Sequence, residues 1–336
     1  PPILVRKDSI DIAKGIGILL VVVGHLKTPE SLHGFVYTFH MPLFFVIAGY
    51  LFQASKWADK GKEFFLKRAE RLIVPYFVLS IFVFYPLYFL IFRHFGAEKQ
   101  FSYDPIETFL SIFLGQDLYY YMPMWFLPCL FSAEIIFWAI CSFTKERTQV
   151  FASCMIAFVG WLTSLYIYLP WGIDIAMVVQ VFLLFGYLLR TRNIQLSFFH
   201  AIVAMLLLYF VYDSGTGVDM ASRRYGSLFY LGGISGSVLV LWISQQTEKM
   251  IYFARIFTLM GRESMSIYLW HGVGIKLTSG ILVLLFHFSL HEVQTLWGGY
   301  TVSVICVSLL ILYVKNIVHK KWLKPNHQLL ARVFNW

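Results

Sequence analysis

Charge is what this chain has least of. Only 13% of its 336 residues are Asp, Glu, Lys or Arg, roughly half the share of an ordinary soluble domain, while 59% are hydrophobic. So little charge cannot solvate the surface of a water-soluble enzyme. Acidic residues are the scarcer sign, 18 against 27 basic. Cysteine is scarce as well: Cys129, Cys141, Cys154 and Cys306 show no paired spacing, which argues against a disulfide framework or a zinc site and leaves them as small apolar residues. Also missing are a Gly-rich phosphate loop, a serine nucleophile elbow and an H-E-x-x-H helix. No internal repeat or low-complexity linker stands out. The first apolar run has no small-residue cleavage site and is expected to be a retained span. Without a basic domain or an RNA-binding signature, the net charge of +9 points to membrane topology and anionic lipid, with no nucleic-acid partner.

What the chain does have is about ten apolar stretches long enough to cross a bilayer as helices, at roughly 10–26, 35–53, 72–92, 123–142, 149–168, 174–190, 196–212, 226–244, 264–286 and 296–314. The expected fold is all-α, a polytopic integral membrane protein with a membrane domain over 1–314 and a basic cytoplasmic tail over 315–336. Putting the N-terminus in the cytoplasm leaves 21 of the 27 Lys/Arg inside, five outside and Lys276 within a span, as the positive-inside bias requires. Both termini are then cytoplasmic.

The first span carries Lys14 and His25, ionisable groups that are costly in lipid and usually functional there. Eleven residues of helix separate them by about 16 Å and close to three whole turns, so they share a face at different depths. Asp11 lies on that face, at i,i+3 spacing to neutralise Lys14. His40 opens Phe39-His40-Met41-Pro42-Leu43-Phe44-Phe45, followed by Ala48-Gly49-Tyr50. A proline and a glycine in one span suggest an irregular, cavity-lining helix; a satisfied core histidine beside a packing kink is the alternative. Arg68 and Arg71, three apart before the third span, present two guanidinium forks suited either to a phosphorylated cytosolic ligand or to lipid phosphates. Glu134 in the fourth span and Asp174 at the start of the sixth read equally as acceptor-binding groups or as polar contacts between helices. Trp125, before the fourth span, suits packing and interfacial anchoring. Tyr268 and His271, three apart in the ninth span, can face one cavity. No metal site is expected.

In these residues the chain resembles membrane acyltransferase family 3, in particular its branch of fucose 4-O-acetylase-like polysaccharide O-acetyltransferases. The features that carry the resemblance are Lys14-x10-His25, His40-Met-Pro-Leu-Phe-Phe with Ala-Gly-Tyr, Arg68-x-x-Arg71, Trp125-Phe-Leu, Pro170-Trp-x-x-Asp174, and Gly261-x-x-Ser264 leading to Tyr268 and His271. They run in order along nearly the whole chain. Ala48 stands where the family more often has Ser, which keeps the small size and loses a hydroxyl. The resemblance implies cytosolic acyl-CoA, usually acetyl-CoA, as donor substrate with no bound cofactor. The acceptor it implies is a carbohydrate hydroxyl, free or lipid-linked, on the other side of a bacterial inner membrane. His25 would be the general base, a role that suits imidazole near neutral pH, by direct transfer or through an acyl-histidine. Lys14, with Asp11, would stabilise charge on the thioester oxygen or, better given its depth, contact CoA. Arg68 and Arg71 would hold the CoA phosphates, and His40, Trp125, Glu134, Asp174, Tyr268 and His271 would line the substrate path. The rival class is a transporter or flippase for a lipid-linked sugar, against which stands the absence of paired half-repeats with broken helices.

Overall fold

The computed structural model describes residues 8–91, 104–116, 122–215, 217–287, 289, 292 and 295–322. The regular structure among them is helical; extended pairing is confined to an isolated antiparallel bridge between Asp219 and Arg224. In chain order the helices are α1 (Asp8–Gly24), α2 (Glu30–Tyr37), α3 (His40–Leu51), α4 (Ala54–Trp57), α5 (Gly61–Arg68), α6 (Val74–Leu79), α7 (Tyr85–Leu90), α8 (Pro105–Leu114) and α9 (Phe126–Phe143). There follow α10 (Glu146–Ser164), α11 (Ile173–Val178), α12 (Gln180–Thr191), α13 (Phe198–Asp213), α14 (Phe229–Thr247), α15 (Ile251–Arg262), α16 (Ser264–Phe286) and α17 (Trp297–Trp322).

Every expected span coincides with helix, but length and apolarity qualify only some as crossings. Glu30–Leu51, Gly61–Leu90, Pro123–Phe143 and Ser264–Leu285 pass singly, and Pro170–Val178 with Gln180–Thr191, bent by 56°, passes as a pair. Others are short: α1 has 17 residues and α13 has 16. Helix α17 continues to Trp322, through the first residues assigned to the tail. Arg6 and Lys7, Arg93 and Lys99 of the second outer segment, and the tail beyond Trp322 lie outside the described residues.

The described chain forms two compact units, one reaching Leu51 and resuming at Phe185, the other Phe52–Leu184. In the first unit α1 is central, packed by α3, α14, α15 and α16. Helix α15 falls between two expected spans and lies along α1 with the backbones in contact. A Cβ on Gly15 would come 2.1 Å from the Phe257 carbonyl oxygen, and one on Gly261 1.7 Å from that of Asp11. Four residues forward on one helix match four back on the other, so the two run antiparallel. Pro42 explains where the second span breaks. Its ring clashes with the carbonyl four residues earlier and it donates no hydrogen bond, so the helix stops at Tyr37 and restarts at His40, leaving Pro42 in the first turn of α3.

In the second unit prolines act differently. Between α5 and α7 the helix is continuous but widens at Ala69–Ile73 and Ser80–Phe84 into π-turns, just ahead of Pro75 and Pro86. There Val74 donates to Ala69 and Tyr85 to Ser80, bonds one residue longer than α-helical ones that absorb the missing proline donors. Helix α8 starts on Asp104, whose carboxylate accepts from the Glu107 amide at 2.8 Å, and ends at Gly115 in left-handed conformation, the usual caps.

Candidate functional site

His25 is the first residue beyond α1, its amide held in the last turn by the Val21 and Val22 carbonyls at 3.2 and 3.1 Å. His25 as a residue keeps access to solvent. Five ångströms away, centroid to centroid (5.0 Å), stands the ring of His271, fully buried at 0% exposure. The Nδ1 of His271 meets the Tyr268 carbonyl oxygen at 2.6 Å. A carbonyl can only accept, so Nδ1 carries the proton and Nε2 keeps a lone pair. That Nε2 is buried with no hydrogen-bond partner, an arrangement that costs free energy and needs a purpose. Tyr268 lies beside it, 5.9 Å between ring centroids. The three-residue spacing of Tyr268 and His271 thus does bring both rings to one place, and it brings His25 there too.

A second set of rings completes the cluster. His40, at the start of α3, bonds through Nδ1 to the Val36 carbonyl at 2.9 Å, so its Nε2 is likewise the acceptor. Tyr37 lies 4.8 Å from His40 and stacks on His33 at 4.0 Å. His25, His33 and Asp219 are electrostatic neighbours of His40. Gly24 gives Tyr37 its place, since a Cβ there would approach the Tyr37 ring to 3.1 Å. His33 and Asp219 were not among the residues singled out from sequence. His33 stands on a short helix at the end of an expected span, and Asp219 comes from a loop nearly two hundred residues downstream; neither carries a motif.

Lys14 and Asp11 are placed together but not in the ring cluster. Their side chains pair at 3.3 Å, and Arg262 on α15 reaches Asp11 at 3.6 Å and Asp8 at 3.5 Å. Two acids and two bases make a balanced cluster at the start of α1, with Asp11 buried and Lys14 half-buried. These ion pairs join α1 to α15.

In the second unit Arg68 Nε pairs with the buried Glu134 carboxylate at 3.2 Å, its guanidinium lying 5.1 Å from the Phe64 ring centroid. Glu134 is also the electrostatic neighbour of the exposed Arg71. Arg68 and Arg71, expected as a pair, and Glu134, expected apart from them on the substrate path, are therefore one cluster, the three side chains summing to a charge of +1. Asp174 is buried in the first turn of α11, accepting from the Leu169 amide at 3.3 Å. Just before it Trp171 and Gly172 both adopt φ 59°, and the Trp171 indole donates to the Phe113 carbonyl at 2.8 Å. Asp174 thus ties down the turn that enters α11; the 56° bend of the broken span lies further on, between Val178 and Gln180. Trp125, half-buried, packs edge-to-face on Phe126, 6.0 Å between centroids. Among the described residues no group of His, Cys, Asp and Glu could hold a metal ion.

A family model described as an acyltransferase domain, that of acyltransferase family 3, matches residues 7–314. No curated protein and no solved structure matches the chain.

Proposed function

From the premise that this chain belongs to acyltransferase family 3 and is a membrane acyltransferase, we propose that it moves an acetyl or other small acyl group from cytosolic acyl-CoA to a hydroxyl of a cell-envelope or exported polysaccharide. The observation that carries this reading is His25, a residue open to solvent, in one cluster with two buried imidazoles whose protons are committed to backbone carbonyls. His25 is then the ring free to exchange a proton with substrate. It takes the proton from the acceptor hydroxyl as that oxygen attacks the thioester carbonyl. When the C–S bond breaks, the departing thiolate recovers the proton from His25. The His271 ring, 5.0 Å from that of His25 between centroids, keeps its Nε2 lone pair and is assigned a second role, accepting from a His25 N–H and so holding that ring in one tautomer.

Arg68 and Arg71 are assigned to the phosphates of the donor. Their net charge with Glu134 favours an anion, and paired guanidinium groups match phosphate oxygens. Lys14 stays a candidate donor contact through its partly accessible ammonium. In this scheme the chain spans a bacterial inner membrane about ten times with both termini in the cytoplasm. The acceptor, free or lipid-linked, approaches from outside.

The test is transfer of labelled acetyl from acetyl-CoA to envelope polysaccharide by the purified protein. His25→Ala is expected to lower the rate on the order of 10²–10⁴-fold, the usual contribution of a general base, with membrane insertion unchanged. Turnover near that of the unmutated protein would remove His25 from the mechanism.

A further inference from the structure

The short helix α2 has two faces, and its contacts fix which way each is turned. On one, Phe35 packs edge-to-face on Phe39 and on Tyr212 of α13, 5.6 and 6.0 Å between ring centroids. Thr38 closes the helix end, its hydroxyl donating to the Gly34 carbonyl at 3.0 Å. On the other face His33 and Tyr37, one turn apart, stack with ring centroids 4.0 Å apart and planes inclined by 24°.

That second face meets α1 where His25 leaves it. A Cβ on Gly24, the residue before His25, would come 3.1 Å from the Tyr37 ring, and one on Gly17 would come 3.0 Å from the Leu43 side chain and 3.1 Å from the Phe44 ring. Seven residues forward along α1 thus match six or seven back along the chain from α3 into α2. The two run antiparallel, so the start of α2, with His33, points away from the end of α1 that holds Lys14. Both His33 and Tyr37 are half-buried. Among the described residues neither the Tyr37 hydroxyl nor a ring nitrogen of His33 has a hydrogen-bond partner. Rings that only filled space would be served as well by phenylalanine, as Phe35 and Phe39 show on the opposite face. The buried Nε2 of His271, beside His25, is unpartnered too. Polar groups left open around one imidazole ask for a ligand rich in hydrogen-bonding groups.

Resting on the reading of this cluster as an acyltransfer site, we propose that His33 and Tyr37 form the acceptor subsite, hydrogen-bonding hydroxyls of the sugar residue whose neighbouring hydroxyl is acylated at His25. A phenol hydroxyl and a neutral imidazole each donate and accept, the pattern that a sugar hydroxyl requires. A phosphate would call for fixed positive charge, and α2 carries no Lys or Arg. The donor's thin pantetheine arm comes to His25 along α1 from the Lys14 side, and the acceptor lies on the side of His33. No bond is made or broken at the subsite; it orients the hydroxyl that His25 deprotonates.

Tyr37→Phe and His33→Phe keep the stacked rings and remove the hydrogen-bonding atoms. The full-length protein in detergent is titrated, without acyl-CoA, with oligosaccharides released from the envelope polysaccharide of the cells that make it and freed of esters by alkali. Calorimetry is expected to show each variant raising Kd about 2–10-fold, the usual worth of one neutral hydrogen bond, with the melting temperature unchanged. In the transfer assay the acceptor KM should rise by the same factor and the donor KM stay as it was. Equal Kd values for the unmutated protein and the double variant, or no binding by the unmutated protein, would overturn the subsite. A melting temperature that falls in step with the weaker binding would make these groups structural and overturn it as well. So would a higher donor KM with an unchanged acceptor KM, which would put the pantetheine arm against α2. Binding that the variants weaken in a protein that transfers no acetyl would instead refute the acyltransfer reading and leave the sugar subsite standing.

Discussion

Arg68 and Arg71 differ in what their loss would expose. Arg71 is an exposed residue whose loss leaves Glu134 still paired with Arg68, whereas Arg68 is the ion-pair partner of buried Glu134. A charge-assisted contact to a donor phosphate is worth roughly 1.5–3 kcal/mol. Leaving a carboxylate buried and unpaired costs more, about 3–5 kcal/mol. Arg71→Ala should therefore raise the acetyl-CoA KM about tenfold or more with normal protein yield. Arg68→Ala should first lower the yield of folded protein, and Arg68→Ala combined with Glu134→Gln should recover it while the donor KM stays high. An unchanged donor KM in Arg71→Ala would leave the pair as an anchor to lipid phosphates. His271 shows the same logic in an uncharged group. Its orphaned Nε2 is a defect if the ring only packs, and an asset if it receives a hydrogen from His25.

Helices in this protein meet at glycines or are reshaped by prolines. The α1–α15 contact is the closest of these, because Gly261 leaves no room for a Cβ against the Asp11 carbonyl. The obstacle is backbone, which cannot rotate away as a side chain can. Gly261→Ala should push α15 off α1, disturb the Arg262 pairing with Asp8 and Asp11, and cost about 1–3 kcal/mol or more. Thermal denaturation in detergent reads that loss. Gly217→Ala, at a site with nothing within 4 Å, serves as the neutral comparison, and equal melting temperatures for the two would refute the tight contact. The proline ahead of which Ala69–Ile73 widens has a bearing on the arginines. In an α-helix Arg68 and Arg71 would lie close on one face, but Arg71 falls inside the π-turn, so Pro75 sets the angle between the two guanidinium groups.

Sidedness belongs to the whole molecule. If the N-terminus is cytoplasmic, Lys27 follows the outer end of the first span and Lys60 precedes a span from within. A cysteine at position 27 of an otherwise Cys-free protein should react with an impermeant thiol reagent added outside intact cells. One at position 60 should react only after the cells are opened. Labelling in the reverse sense would invert the topology and the delivery of acceptor from outside, while leaving membership in the acyltransferase family standing.

Scarcity of charge and the spacing of apolar runs determined by themselves an all-helical protein of the membrane, and the order of Lys14, His25, His40, Arg68, Arg71, Tyr268 and His271 carried its resemblance to the acyltransferase family. Those signals are local: a hydrophobic run or an i,i+3 pair is complete within one helix. Sequence likewise suggested an irregular second span, and Pro42 does break it, though ahead of the proline rather than within the helix that holds it. Only the tertiary structure decided that His25 meets His271, that Glu134 is shared by the two arginines, that Arg262 joins Asp8 and Asp11, and that Asp219 is an electrostatic neighbour of the histidines. Each of these pairs residues on different elements. The same side chain can be a core contact or a reactive group, and what distinguishes the two is the partner brought to it by helices packed at their glycines, which no single stretch of sequence contains.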